Sequence, residues 1–227
     1  MPLVAVANVK GGQGKSTWSA ILKTLLNGSG TLLDLDPQQG DAHSWAESAK
    51  VTSHLVWPEI LYEELEAAAS DNLWWHVADC PPNEGEATRA ALALASIVFV
   101  PLVPGGAQDA QAWGRMSALL EEAWKVNPDM EAAVLLNAVR PTALSRDFRG
   151  VMEAWHTPND GRTFLGIVPM RVAIAEAIAK GKVPNDPTIS QALKRFDKVL
   201  KLASRVATTK NLLDKMLHQP PVGALHD

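Results

Sequence analysis

Residues 8–17, Asn-Val-Lys-Gly-Gly-Gln-Gly-Lys-Ser-Thr, constrain this chain more than any other stretch. The apolar run Leu3 to Ala7 before them reads as a buried strand, and Ser16 to Leu26 after them reads as a helix. A glycine-rich turn between strand and helix leaves backbone N–H groups unobstructed and aims them at an anion above the helix N-terminus. Gly11, Gly12 and Gly14 permit the close approach and any positive φ that such a loop requires, and Gln13 lies inside it. In this arrangement Lys15 reaches the β- and γ-phosphates of a nucleotide, Ser16 ligates Mg²⁺, and Thr17 bonds a further phosphate oxygen. Two features depart from the general phosphate-loop pattern. Val9 stands where its first glycine is expected, and a second lysine, Lys10, opens the loop.

Around this loop, apolar runs alternate with helical patterns almost to the end of the chain, the signature of βαβ units and hence of an α/β fold with a mainly parallel twisted sheet flanked by helices. Strands are expected at 3–8, 30–36, 74–79, 96–102, 131–137 and 163–168. Helices are expected near 15–27, 42–49, 59–69, 84–95, 107–126, 143–156, 171–180 and 188–217. A length of 227 residues suits one large domain, placed at 1–217 with a flexible tail at 218–227. Asn185-Asp186-Pro187 reads as the turn and N-cap that start the last helix. Eight tryptophans are scattered along the chain. Most read as packing residues, with Trp45 and Trp113 as candidates for a partner surface.

Two further segments place carboxylates where ligands of open α/β sheets bind. Thr31-Leu32-Leu33-Asp34-Leu35-Asp36-Pro37-Gln38 ends an apolar strand in two acids on one face, and Pro37 stops ladder pairing. Two aspartates ending a buried strand are costly unless a cation or a catalytic water meets them. Val77-Ala78-Asp79-Cys80-Pro81-Pro82 repeats this logic at the next strand. Cys80 has no histidine close in sequence and gains no support as a nucleophile.

With its second lysine the loop matches Lys-Gly-Gly-x-Gly-Lys-Ser/Thr, and the chain resembles the ParA/MinD group of P-loop ATPases, closest to the short plasmid-partition type. The resemblance implies ATP and Mg²⁺ as cofactors and an ATP-dependent homodimer in which Lys10 crosses to the other subunit's nucleotide. It further implies that Asp36 positions the attacking water and that Asp79, the Walker B aspartate, holds Mg²⁺ through a water, with Asp34 supporting them. Asn137 falls where such proteins contact adenine, and Pro169-Met170-Arg171 resembles the loop that closes over the base. Motifs are strong in the first 82 residues and diffuse afterwards.

Composition bounds the partners. Net charge is −4, yet residues 180–217 hold nine Lys/Arg against three Asp, a local basic segment on an acidic body. Lys194, Lys198, Lys201 and Arg205 fall on a helical stripe roughly 60° wide, opposite Leu193, Phe196, Val199, Leu200, Ala203 and Val206. Such a row is either a solvated helix face or a track for DNA phosphates; the resemblance to nucleoid-binding ParA proteins favours nonspecific DNA. With no helix-turn-helix before Leu3, the reading of a DNA sequence falls to a ParB-like centromere-binding partner. A single cysteine excludes an internal disulfide and fits a reducing, cytoplasmic and nucleoid-associated setting, and it argues against the nitrogenase iron protein. No leader, no membrane span and no amphipathic terminal helix is read, so membrane attachment is not expected. The alternatives are a positioning ATPase for another cargo, such as a chemoreceptor cluster, carboxysome or cellulose-synthesis complex, and a nucleotide-gated binding module with incidental turnover.

Overall fold

A computed structural model of the chain describes residues 3–26, 30–180, 182 and 184–217. Its core is a seven-stranded sheet made of β1 (Leu3–Val6), β2 (Leu32–Asp34), β3 (Ser53–Leu55), β4 (His76–Asp79), β5 (Ile97–Leu102), β6 (Glu131–Val139) and β7 (Arg162–Pro169). The order is β3-β2-β4-β1-β5-β6-β7, and every neighbouring pair is parallel. Six strands lie where the sequence places them. The seventh, β3, was not expected: Ser-His-Leu is neither an apolar run nor an alternating one, and it forms an edge strand by pairing with β2.

The central strands read as continuous apolar runs because helices cover both sheet faces. In β1, Leu3 and Ala5 join one core while Val4 and Val6 join the other, and β5 divides likewise between Val98, Val100 and Leu102 on one side and Ile97 and Phe99 on the other. The first core is closed by α3 (Leu61–Ser70), α4 (Glu86–Leu94), α5 (Ala107–Val126) and α6 (Ala143–Trp155) through Leu65, Leu92, Met116, Leu120, Phe148 and Met152. The second is closed by α1 (Lys15–Leu25), α2 (Asp41–Ala49) and α8 (Pro187–Leu217), where Phe99 packs tilted on Trp18 and edge-on to Phe196 at centroid distances of 5.2 and 5.5 Å. A short helix, α7 (Val172–Ala179), precedes α8.

Trp113 belongs to the first core, 9% exposed and edge-on to Trp155 at 5.6 Å, which corrects its reading as a partner-surface residue. Trp45 is half-buried against the second core. The N-cap expected before α8 forms: Asp186 Oδ1 accepts the Thr188 N–H at 2.8 Å, and Pro187 takes the first helical position. The tail expected at 218–227 lies outside the described residues.

Candidate functional site

The phosphate loop leaves the carboxyl end of β1, the strand between β4 and β5, so the ends of β2 and β4 bring their acids to its side. A cavity of about 220 Å³ results, lined by Gly11, Gly12, Gly14, Lys15, Ser16 and Thr17 from the loop and by Asp34, Asp36, Asp79 and Cys80 from the neighbouring strand ends. Pro82, the end of the second acidic motif, and Gln39 and Asp41, which motif reading had not singled out, complete the lining.

Backbone strain in the loop falls on glycine. Gly12 and Gly14 take φ of +74° and +92°, and a Cβ on Gly14 would stand 2.4 Å from Asn137 Nδ2. Asn137 approaches so closely because β6 bulges between Leu136 and Val139, with Ala138 at φ +48°. Its amide donates to the Gln13 carbonyl at 2.9 Å, so the residue expected at the adenine sits on the loop. Gln13 is itself fixed, accepting the Val103 N–H at 2.7 Å.

Lys15 is buried, and its ammonium donates to the Lys10 carbonyl at 3.2 Å. Burial pulls its pKa down against the attraction of Asp79, Cys80 and Asp36. Across the cavity, burial raises Asp79 to about 7, opposed by the hydroxyls of Ser19, which donates to Oδ1 at 2.7 Å, and Ser16. Ser19 was missed by motif reading, although it lies three residues after Ser16 on the same helical face. Asp34 pairs in register with Asp79 on the adjacent strand. It accepts the Asp36 N–H at 3.1 Å and the His43 N–H at 2.9 Å, so it ties the Asp36 turn to the start of α2. Burial drives the Cys80 thiol well up, which keeps it protonated.

Lys10 occupies a position that sequence could not give. Its Nζ meets Asp109 Oδ1 of α5 at 2.6 Å, and Gln13 Nε2 approaches the same oxygen at 3.4 Å. Asp109 needs Gly105 beside it, since a Cβ there would lie 2.2 Å from its Oδ2. Arg171 stands on the loop after β7 but turns to Asp186, pairing at 2.7 Å with the cap of α8. Pro169 ends β7 opposite Val139, next to that loop. Lys194, Lys198, Lys201 and Arg205 are all exposed on the face of α8 away from the sheet, and Lys201 pairs with Asp197 at 2.5 Å. No helix among the described residues is long and apolar enough to cross a membrane.

The family model described as the CobQ/CobB/MinD/ParA nucleotide binding domain matches residues 4–185. The chain belongs to this family. Among relatives, the maintenance of carboxysome distribution protein A of Halothiobacillus neapolitanus is 29% identical over 164 residues, covering 68% of this chain and 75% of that protein. Protein ParA of Rhizobium radiobacter is 28% identical over 161 residues, covering 66% and 71%. A plasmid partition protein of Borrelia burgdorferi solved with AMPPNP superposes with a TM-score of 0.68 at 17% identity, covering 86% of this chain and 98% of that one. These likenesses confirm the expected fold: a single parallel sheet flanked by helices, as in other members of this nucleotide-binding family.

Proposed function

We propose that the chain is a ParA-type partition ATPase: ATP and Mg²⁺ join two copies face to face, the dimer holds nonspecific DNA, and hydrolysis stimulated by a centromere-binding partner releases it. The observation that carries this reading is the convergence of Lys15, Ser16, Asp36 and Asp79 on one cavity beneath a loop that also bears Lys10.

The residues present fit both groups. Left-handed glycines clear a path for the triphosphate, and a buried ammonium with no carboxylate bonded to it among the described residues offers the phosphates a positive partner. Hard oxygen donors on Ser16 and Asp79 suit a magnesium ion that keeps waters and shares phosphate oxygens. When bound, that ion neutralises charge on the β- and γ-oxygens. Lys15 steadies the same charge, Asp36 orients a water for in-line attack, and Asp34 holds the Asp36 turn in place. Lys10 adds its charge from the partner subunit, which requires it to leave Asp109. On this reading Asn137, bonded to the Gln13 carbonyl, and the loop Pro169 to Arg171, with Arg171 paired to Asp186, flank the base, and the α8 row meets DNA phosphates.

The likeness to a carboxysome distribution protein supports a second reading with the same motor and another cargo. Purification with the product of the adjacent gene, then ATPase assays with and without random-sequence duplex, tests both. Joint stimulation by DNA and a centromere-binding neighbour is the expected result; stimulation by a shell-associated neighbour alone selects the second reading. Asp36→Ala should bind ATP and dimerise yet turn over at least about tenfold more slowly, because it removes a water-orienting group and spares the phosphate cradle. Near-normal single turnover would remove Asp36 from the chemistry.

A further inference from the structure

Beyond β7, the last strand of the sheet, α6 and α8 leave a groove of about 700 Å³. Its lining combines apolar Phe164, Ile167 and Leu202 with the cations Arg149, Arg195 and Lys198. The one carboxylate in the lining, Glu153, bonds Arg149 Nε at 2.7 Å. Arg195 instead donates to the Leu165 carbonyl at 3.1 Å, so its charge and that of Lys198 meet no carboxylate among the described residues. Strand addition is obstructed here, because His156 Nδ1 takes the Phe164 N–H at 3.0 Å and Arg195 covers the next carbonyl. An occupant must therefore dock through side chains, presenting carboxylates around apolar groups.

The opposite edge of the sheet carries such a surface. After β3, the turn Pro58–Ile60 and helix α3 expose Trp57 at 49%, Ile60 at 37% and Tyr62 at 51%. Glu59, Glu63 and Glu66 are exposed among them. Apolar groups among acids on one edge complement apolar groups among cations on the other.

We propose that these surfaces bind each other, the α3 face of one copy seating in the α6/α8 groove of a second. The contact joins two different surfaces and is heterologous, and because β3 and β7 are opposite edges each engaged copy keeps a second surface for another copy. The phosphate loop opens at the carboxyl ends of the strands, so lateral contact leaves it accessible. The association needs no nucleotide and stands apart from the ATP-dependent dimer.

Sedimentation velocity of the full chain without nucleotide, over a roughly hundredfold range of concentration at low and high salt, tests it. Wild type should grow in mass with concentration, less so at high salt. Arg149→Glu with Leu202→Glu breaks the groove, and Glu63→Lys with Glu66→Lys breaks the α3 face; both pairs alter exposed positions, and circular dichroism melts confirm that each variant folds. Each should associate at least about tenfold more weakly alone, while an equimolar mixture regains association because each variant keeps the surface the other has lost. A wild type that stays monomeric throughout, or a mixture no better than its components, overturns the proposal. So does a groove variant that self-associates normally but loses retention on duplex DNA, which would make the groove a nucleic-acid surface.

Discussion

Asp79 shows how one buried residue carries opposed demands. Its pKa is raised to about 7 because burial outweighs the Ser19 and Ser16 hydroxyls, whereas in the unfolded chain the carboxyl titrates near its ordinary 3.8. A native pKa above the unfolded value contributes stability that is fully present below the unfolded pKa and lost as pH rises through the native one. Between about pH 4 and pH 7 the nucleotide-free protein should therefore lose stability on this account. Asp79→Asn imitates the protonated form. Its advantage over wild type should be near zero at low pH and reach on the order of a few kcal/mol at pH 8. Denaturant melts across that range measure it; an advantage that does not grow with pH would mean that Asp79 is solvated as an anion. The same variant should bind Mg²⁺-nucleotide poorly, since the charge that destabilises the empty site is the one the ion needs.

Helices and loops set what those residues can reach. The loop depends on Gly14, whose φ of +92° disfavours any side chain and whose Cβ would displace Asn137 from the Gln13 carbonyl. Gly14→Ala should cost about 1–2 kcal/mol in stability and most nucleotide affinity. Equilibrium melts and fluorescent-nucleotide titration would check both, and unaltered affinity would remove the loop conformation from phosphate binding. On α8 the four cations expected from spacing are exposed, but the Lys201 pair with Asp197 makes their charges unequal. Changing Lys198 and Lys201 together to Glu should lower ATP-dependent retention on unrelated duplexes at least about tenfold and reduce the salt slope by about 2. Lys198→Glu alone should account for the larger share. Retention unchanged across the salt series would leave the row as a solvated face.

At the scale of the whole molecule, the Lys10–Asp109 pair bears on the proposed dimer. It joins residues 99 positions apart, holding on α5 of its own chain the lysine proposed to reach across a dimer. Lys10→Ala should keep monomeric ATP binding and lose ATP-dependent dimerisation. Asp109→Asn removes the competing charge, so it should favour the dimer several-fold if the pair must break first. Light scattering with ATP reads both outcomes. A normal Lys10→Ala dimer would sink the cross-subunit role, and an Asp109→Asn dimer no tighter than wild type would make the ion pair a bystander.

The order of elements, the sheet class, the loop and its flanking acids were legible in the sequence because each rests on local rules: buried strands of a covered parallel sheet read as apolar runs, helices show their own period, and the glycine loop is contiguous from Val9 to Thr17. Strand β3 was illegible because its edge position asks little hydrophobicity of Ser53-His54-Leu55. Trp113 could be read as interface or core until α6 placed Trp155 against it. The sequence by itself determined which groups stand at the strand ends, while only the tertiary structure decided that Asp109 would hold Lys10, that a bulge would bring Asn137 onto Gly14, and that Arg171 would turn to Asp186. Those contacts depend on the packing of elements distant in sequence, and no periodicity within one element records what the next will place beside it.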